Sequence, residues 1–318
     1  MCGIAGFINQ ENPNIDLAKK SLIHRGPDAQ TSFKFNNLNL VHTRLSILDL
    51  KHGHQPLIIG DHVIILNGEI YNHLELRNDL KNHSFKTQSD TETFLALYIK
   101  FGMPALEMCD GMFSFAILDR KSNYLTLGRD RAGKKPLYYY KKADQMFFAS
   151  ELNTIKQCIR SIESNEKEIY SYIRNGFFFP GVTPYKDVYE VKPGHAYTIN
   201  LNDLSIKKQS YFNIIDFYRN EKVNNYNDAL FLVDQALDRS VKNRMLSSDL
   251  EVGAFLSGGI DSSLIVSSAS KYTTKLKTFT VRFDGLFDES KLARLTSKKF
   301  NTDHLEIDIP INLKEDIE

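Results

Sequence analysis

Short strand patterns, separated by turn residues and with few helical patterns between them, are the feature of this sequence that most restricts its fold. Apolar or alternating runs of this kind lie at 2–7, 40–48, 62–66, 112–118, 124–127, 136–140 and 146–149. Parallel strands need a long crossover connection, usually a helix, whereas antiparallel strands do not. The first half of the chain therefore predicts two packed, mostly antiparallel sheets.

One helix start is marked clearly inside this region. The segment 89–92, SDTE, has the spacing of a capping box, in which a serine side chain caps the first turn and a glutamate reaches back. It predicts a helix from Thr91 to Phe101, ended by Gly102. On this interpretation Asp90 is a helix-start residue.

The pattern changes near residue 220, where a polar, asparagine-rich segment precedes a helix that runs to about Arg244. The apolar face of this helix is formed by Leu230, Val233, Leu237 and Val241. Two short buried strands of the parallel type follow at 251–256 and 277–283, and two helices at 264–271 and 288–300. We predict one domain over 2–215 and a second over 222–318.

Composition excludes several classes of function. Lysine and arginine number 40 against 39 for aspartate and glutamate, so a net charge of +1 gives no overall field that would attract nucleic acid or an anionic membrane. No apolar run approaches the ~20 residues of a membrane span, and a signal peptide is not indicated, so we expect a cytoplasmic protein. Cys2, Cys109 and Cys158 form no CxxC pair, which argues against a disulfide framework or a thiolate metal site.

The chain opens with MCGIAGF, so removal of the initiator methionine would leave Cys2 with a free α-amino group. A thiol titrates near ~8.5 and an α-amino group near ~7.7–8.0, so the amine can accept the thiol proton at neutral pH. Cys2 then carries a nucleophile and a base together. The alternative is a small apolar residue at the start of the first strand.

Two further positions allow a structural interpretation from local pattern alone. Asn67-Gly68 follows the apolar run 62–66 and is a strong turn dipeptide, which predicts a hairpin turn before Glu69. Arg44 lies in the alternating run 40–48, where an arginine is usually a solvated charge at the edge of a sheet.

The segment 257–263, SGGIDSS, lies between a strand and a helix. Two glycines let backbone N–H groups approach an anion, and the new helix adds its positive end, so the segment predicts a phosphate cradle. It matches neither the GxxxxGKS/T of the common P-loop nor the GxGxxG of a dinucleotide fold. A plain structural turn is the alternative.

These segments together resemble the glutamine-hydrolysing asparagine synthetase family. The matching segments, which lie in the family's order over residues 1–306, are MCGIAGF at 1–7, HRGPD at 24–28, RLSI at 44–47, NGEIYN at 67–72, RDR at 129–131 with KPLYY at 135–139, and SGGIDSS at 257–263. The resemblance implies an α+β N-terminal-nucleophile glutaminase domain, built as a four-layer αββα sandwich. An incomplete α/β ATP-pyrophosphatase domain with a parallel sheet would follow it.

The resemblance implies roles for residues of the first domain. Cys2 would attack the side-chain amide of glutamine, and the Asn67 side chain and the Gly68 N–H would stabilise the oxyanion. Arg44 would bind the α-carboxylate of glutamine, and Glu69 and Asp90 its α-ammonium. The implied glutamine-binding residues are Arg44, Leu45, Ser46, Ile47, Leu48, Asn67, Gly68, Glu69 and Asp90.

In the second domain the resemblance implies an ATP site, completed by Mg²⁺. The implied nucleotide residues are Leu256, Ser257, Gly258, Gly259, Asp261, Ser262 and Val281. ATP would activate the β-carboxylate of aspartate as an acyl-AMP, and ammonia carried through an internal tunnel would displace AMP to give asparagine. A homodimer is possible.

Departures from the family pattern leave alternatives open. The family's second Gly/Asp-rich loop has no match after Asp261, so we expect this chain to hydrolyse glutamine without forming asparagine. Ala132, Lys134 and Ile260 differ from the family pattern only in their side chains. The acceptor could be another carboxylate, such as a sugar uronate; other class II amidotransferases share the Cys2 chemistry but lack the 257–263 loop. A non-catalytic remnant that binds glutamine or a partner subunit is the remaining alternative.

Overall fold

A computed structural model describes residues 2–219, 222–282 and 288–309. The chain divides into two compact units, Met1–Asn220 and Glu221–Glu318. Within the described residues, helices long and apolar enough to cross a membrane are absent.

The first unit is built mainly from strands. Its strands in the described residues are β1 (Gly3–Ile8), β2 (Ala29–Phe35), β3 (Leu38–Arg44), β4 (Leu57–Ile59), β5 (His62–Ile70), β6 (Gly111–Asp119), β7 (Tyr124–Arg129), β8 (Tyr138–Lys142), β9 (Gln145–Ala149), β10 (Val188–Glu190), β11 (His195–Asn200) and β12 (Ile206–Ser210). Its helices are α1 (Ile15–Leu22), α2 (His73–Leu76), α3 (Asp90–Phe101), α4 (Ala105–Met108), α5 (Leu152–Cys158), α6 (Glu166–Asn175) and α7 (Ile214–Arg219), with a 3₁₀ turn at Arg77–Leu80.

These strands form two antiparallel six-stranded sheets, in the orders β10-β8-β9-β1-β3-β2 and β12-β11-β7-β6-β5-β4. A core that includes Ile4 and Ile65 fills the space between the sheets. Helices α1 and α5 cover the outer face of the first sheet, and α2, α3 and α4 cover the outer face of the second. The predicted αββα sandwich is confirmed.

The hairpin turn predicted at Asn67-Gly68 is wrong. Strand β5 runs straight through both residues, with Asn67 opposite Ser114 and Gly68 opposite Phe113 of β6. Pairing along the whole length of β6 overrides the local turn preference. Gly68 has φ of 148°, and an added Cβ would lie 2.0 Å from the carbonyl oxygen of Met112, so the glycine serves a close strand contact.

Helix α3 begins at Asp90, one residue earlier than predicted, and ends before Gly102 as predicted. Ser89 caps it, since its Oγ accepts the Glu92 N–H at 3.3 Å. The Glu92 carboxylate does not complete the capping box: it accepts N–H bonds from Lys86 and Thr87 instead, which orders the segment that leads to Asp90. Glu92 therefore stabilises the preceding loop and does not cap the helix.

The second unit has a parallel sheet in the order β13-β14-β15. Its described elements are α8 (Tyr226–Leu246), β13 (Gly253–Phe255), α9 (Ile260–Ala269), β14 (Lys277–Arg282), α10 (Ser290–Phe300) and β15 (Asp303–Asp308). The parallel sheet type is as predicted. Phe283, which ends the predicted second strand, lies outside the described residues.

Several details of this unit differ from the predictions. The first strand was expected to be buried, but Phe255 is 80% exposed because β13 lies at the edge of the described sheet. Helix α9 starts at Ile260, directly after the glycine turn, and not at Leu264. In α8 only part of the predicted apolar face is packed: Leu230 and Val233 are exposed.

Candidate active site

Most of the predicted glutaminase residues surround one small pocket in the first unit. Those that line it are Cys2, Arg44, Leu45, Ile47, Leu48, Gly68, Glu69 and Asp90. Ser46 and Asn67 are not among the lining residues. Ser46 is close by, since its N–H donates to a carboxylate oxygen of Asp28 at 2.7 Å and so fixes the loop that carries its neighbours.

The Cys2 thiol lies at the start of β1, with Sγ 3.7 Å from the carbonyl oxygen of Leu45. Burial raises the pKa of this thiol, so it is protonated at neutral pH and needs a base before it can act as a nucleophile. Arg25 orients the residue: its Nε donates to the Cys2 carbonyl oxygen at 3.0 Å, and its Nη1 donates to Glu151 at 3.0 Å. Arg25 lies in the HRGPD segment, to which the sequence assigned no role.

The edge of β5 beyond the end of β4 presents backbone N–H groups to the pocket. Strand β4 pairs only as far as Leu57 opposite Ile64, and alternate residues of an antiparallel strand direct their N–H and C=O groups to the same side. The Leu66 N–H, on this side, donates to Oε1 of Gln55 at 2.6 Å, and the Ile70 N–H donates to Asp90 at 2.8 Å. Gly68 lies between them, so its N–H is directed to the same side, as an oxyanion donor requires.

The Asn67 side chain points to the opposite face from Leu66, into the layer between the two sheets. Alternation along β1 directs the Cys2 side chain into the same layer, because Ile4 belongs to the core between the sheets. Asn67 is fully buried, and its Nδ2 lies 3.4 Å from Oγ of Ser114. Its Oδ1 has no partner in the described part of the chain. The oxyanion role of Asn67 stays a prediction.

Arg44 is only 5% exposed, so the expectation of a solvated edge charge is wrong. Its guanidinium donates to the carbonyl oxygens of Leu48, Asp49 and Leu50, at distances of 2.7–3.3 Å. These bonds wrap the 45–50 loop around the arginine and use three of its five N–H groups. A substrate carboxylate would have to be bound by the others, and that role stays a prediction.

Glu69 and Asp90 bring two carboxyl groups to the same pocket. Burial raises the pKa of Glu69, and the nearby charge of Asp90 raises it further. Burial also raises the pKa of Asp90, which is 5% exposed and accepts the Ile70 N–H. Two buried carboxylates that repel each other favour a proton or a cationic ligand between them. The family resemblance predicted that these two residues belong to one site, whereas the local sequence pattern did not.

Sequence reasoning did not identify two other residues near this pocket. Gln55 lines it and is hydrogen-bonded to both β5 and α3. Lys135 is 3% exposed; burial lowers its pKa, and the charges of Glu69 and Cys2 act in the opposite direction. Lys135 could have been found from the sequence, because it lies within the 129–139 segment that resembles the family. No local pattern indicates a role for Gln55.

The turn at 130–135 is fixed through backbone groups. The Asp130 carboxylate accepts N–H bonds from Ala132, Lys134 and Lys135, at distances of 2.9–3.1 Å. Ala132 and Lys134 take part through the backbone, in agreement with the expectation that their departures from the family pattern affect side chains only.

In the second unit, the loop after β13 is a glycine turn that leads directly into α9. Gly258 has φ of 90°, and an added Cβ would lie 2.7 Å from the carbonyl oxygen of Glu289. Gly259 caps α9, whose first N–H groups have no partner within the helix. Oγ of Ser257 accepts the Gly259 N–H at 3.3 Å and lies 3.1 Å from Oγ of Ser262, which stabilises the turn.

The other predicted nucleotide residues lie around this loop. Leu256 is fully buried where β13 ends, and Val281 is 38% exposed near the end of β14. Asp261 is exposed in the first turn of α9. Across the ranges that the structure describes, groups of three or more His, Cys, Asp or Glu side chains that could hold a metal do not occur.

Comparison with known proteins assigns the first unit. A family model described as a glutamine amidotransferase domain matches residues 1–212. The chain belongs to this family. A second model, described as asparagine synthase, matches residues 232–313 of this glutamine amidotransferase family member.

Curated relatives carry matching names. A putative glutamine-hydrolyzing asparagine synthetase 2 of Methanocaldococcus jannaschii is 34% identical over 96% of this chain and 64% of its own length. Glutamine-hydrolyzing asparagine synthetase 1 of Bacillus subtilis is also 34% identical, over 96% of this chain and 50% of its own. Asparagine synthetase B of Escherichia coli is 33% identical, over 86% of this chain and 46% of its own length. The chain thus spans about half to two thirds of the length of these relatives.

Among solved structures, the glutamine phosphoribosylpyrophosphate amidotransferase of B. subtilis, complexed with ADP and GMP, is similar to this chain with a TM-score of 0.52. The match covers 98% of this chain and 91% of that one, at 16% identity. At this identity the likeness concerns the fold alone. It agrees with the αββα sandwich of the first unit.

Proposed function

We propose that the first unit hydrolyses glutamine to glutamate and ammonia, with Cys2 as the nucleophile once Met1 has been removed. The observation that carries this proposal is the single pocket in which the Cys2 thiol, the free edge of β5 at Gly68 and the Glu69–Asp90 carboxyl pair meet. Glutamine has an amide at one end and an ammonium at the other, so it matches these groups in chemistry.

The reaction begins with transfer of the thiol proton to the α-amine of Cys2, directly or through a water molecule. The thiolate attacks the amide carbon, and the oxyanion is stabilised by the Gly68 N–H and the Asn67 amide. The amine returns the proton to the departing nitrogen, so ammonia leaves and a thioester remains on Cys2. Water then attacks the thioester, releasing glutamate and restoring the thiol.

The carboxyl pair gives glutamine binding a defined pH dependence. Because burial raises the pKa values of Glu69 and Asp90 above the usual carboxyl range, the free site holds a proton at pH values where carboxylates are normally ionised. Binding of an α-ammonium needs that proton to leave. We therefore expect the KM for glutamine to fall as pH rises through the raised pKa values, with proton release measurable by calorimetry in two buffers. A KM for glutamine that does not change as pH rises from the usual carboxyl range, about 4, to above the raised pKa of Asp90, about 6, would contradict this.

We further propose that the ammonia serves ATP-dependent asparagine synthesis, with aspartate as acceptor and Mg²⁺ accompanying the nucleotide. The names of the relatives and the asparagine synthase match support this. The 257–262 loop suits phosphate, because the first N–H groups of α9 have no partner within the helix, and Gly258, with φ of 90°, turns the chain close past the Glu289 backbone just before them. When bound, ATP supplies the activation of a carboxylate. A cytoplasmic location, where thiols stay reduced, suits the three free cysteines.

The nucleotide proposal is tested at Gly258. We expect Gly258→Ala to abolish binding of Mg-ATP in calorimetric titration, because the new Cβ meets the Glu289 backbone and φ of 90° disfavours alanine. Gly176→Ala is a matched control, since Gly176 also has a positive φ of 79° but open space around it. Equal ATP affinity in Gly258→Ala and the unsubstituted chain would contradict the assignment of this loop.

A further inference from the structure

We propose that Gln55 is a positioning residue that fixes the distance between the Gly68 N–H and the Asp90 carboxyl group, and thereby selects glutamine over shorter amides. This inference rests on the proposed glutaminase function and adds a residue to it. The contacts that carry it join two parts of the site that are distant in sequence.

The Gln55 side chain is bonded at both ends and is 8% exposed. Its Oε1 accepts the Leu66 N–H at 2.6 Å, and its Nε2 donates to Oγ1 of Thr91 at 3.3 Å. The Thr91 hydroxyl in turn donates to Oδ1 of Asp90 at 3.3 Å. A single amide therefore connects the edge of β5 to the first turn of α3.

Side chains form hydrogen bonds to both backbone groups of Leu66. While Gln55 accepts from its N–H, the Leu66 carbonyl oxygen lies 3.3 Å from Nε2 of His42. Burial lowers the pKa of His42 to about 4, so the ring is neutral and can donate this bond. The two side chains replace the neighbour that β5 loses where β4 ends, and they fix the strand two residues before Gly68.

Two separate bonds then set the geometry of the pocket. The Ile70 N–H joins Asp90 to β5 on one side of Gly68, and the Gln55–Thr91 link joins α3 to β5 on the other. Packing of α3 against the second sheet holds the helix in place, and the two bonds fix the position of its first turn relative to Gly68. The space between the Gly68 N–H and Asp90 is the space that the carbon chain of the substrate must span.

Glutamine is suited to this role because one rigid amide offers an acceptor and a donor. The Leu66 N–H requires the acceptor, and the Thr91 hydroxyl, which already donates to Asp90, accepts from the donor. A glutamate side chain would keep the first bond and place a third carboxyl group near Glu69 and Asp90. Methionine has similar length and keeps neither bond.

The test compares glutamine with asparagine, which has one methylene fewer, in the full chain. For each variant, the KM and kcat for glutamine and the competitive inhibition constant of asparagine are measured. Gln55→Met removes both hydrogen bonds, and we expect it to lower kcat/KM for glutamine at least about tenfold. The ratio of the asparagine inhibition constant to the glutamine KM should fall by a similar factor. Gln145→Met, the same change at an exposed position of β9, should alter neither quantity.

Two further variants separate positioning from a loss of stability. Gln55→Glu keeps the shape of the side chain and the Leu66 bond, so we expect it to fold and to move the pH dependence of KM to higher pH. Thr91→Val removes the hydroxyl that accepts from Gln55. In the double variant, its effect on the ratio of the asparagine inhibition constant to the glutamine KM should not add to that of Gln55→Met. If the Gln55 variants only lower the melting temperature, and leave the ratio of the asparagine inhibition constant to the glutamine KM and the pH dependence of KM unchanged, this inference is overturned but the proposed function is not. An unsubstituted chain that does not hydrolyse glutamine would overturn the proposed function as well.

Discussion

We expect Cys2→Ala to abolish glutamine hydrolysis and to leave the fold intact. The thiol is the atom that forms the covalent bond, and alanine has no group that could replace it. Loss of the thiol removes no structural bond beyond the 3.7 Å contact with the Leu45 carbonyl oxygen. We expect glutamate release to fall to the uncatalysed rate, with an unchanged circular dichroism spectrum and melting temperature within a few degrees.

A chain that retains Met1, for instance behind an N-terminal tag, is the matched control for the base. It keeps the Cys2 thiol but converts the α-amine into a peptide nitrogen, which cannot accept a proton. Because burial raises the pKa of the thiol, the loss of this base should be nearly as damaging as the loss of the sulfur. Full activity in the tagged chain would point to another base.

Asp90→Asn has the second largest expected effect, an increase of about 100-fold in the KM for glutamine, since hydrogen bonds to charged groups are the strong ones. The asparagine Oδ1 can still accept the Ile70 N–H, while its Nδ2 takes the place of the oxygen that accepts from the Thr91 hydroxyl. The kcat should change much less, because the reacting amide lies at the other end of the substrate. Steady-state kinetics with glutamine measures both.

The stability of Asp90→Asn distinguishes binding from structure. A carboxyl group whose folded pKa is raised favours folding when protonated, and this contribution is lost as pH rises from the usual carboxyl range through the raised value. Removing the charge should therefore leave stability unchanged at low pH and increase it at neutral pH. A destabilised variant with an unchanged KM would instead support a helix-start role for Asp90.

The layered fold was predictable because it depends on alternation and composition. Strand β6, for example, contains the apolar run that predicts a buried strand. The scarcity of helical patterns between the strands favoured antiparallel sheets. The parallel sheet of the second unit followed from the strand, Gly-rich turn and helix around Gly258. Boundaries shifted by a few residues where tertiary contacts extend an element.

The errors and omissions arise from contacts that a local sequence pattern does not show. The Asn67-Gly68 pair has the chemistry of a turn, but nine consecutive residue pairs between β5 and β6 outweigh it. Arg44 has the pattern of a surface charge, but carbonyl groups of the following loop close around it. Gln55 acts through partners 11 and 36 residues away, and no local pattern reports such bonds.

Mass spectrometry of the acid-quenched reaction tests the central claim most directly. The processed chain is mixed with glutamine, quenched during turnover and digested, and the N-terminal peptide is weighed. We predict that the peptide carrying Cys2 gains the mass of one glutamyl group, that hydroxylamine removes this group, and that Cys2→Ala shows no such gain. Turnover of glutamine with the label on another residue, or with no covalent intermediate on Cys2 under rapid quenching, would contradict the account.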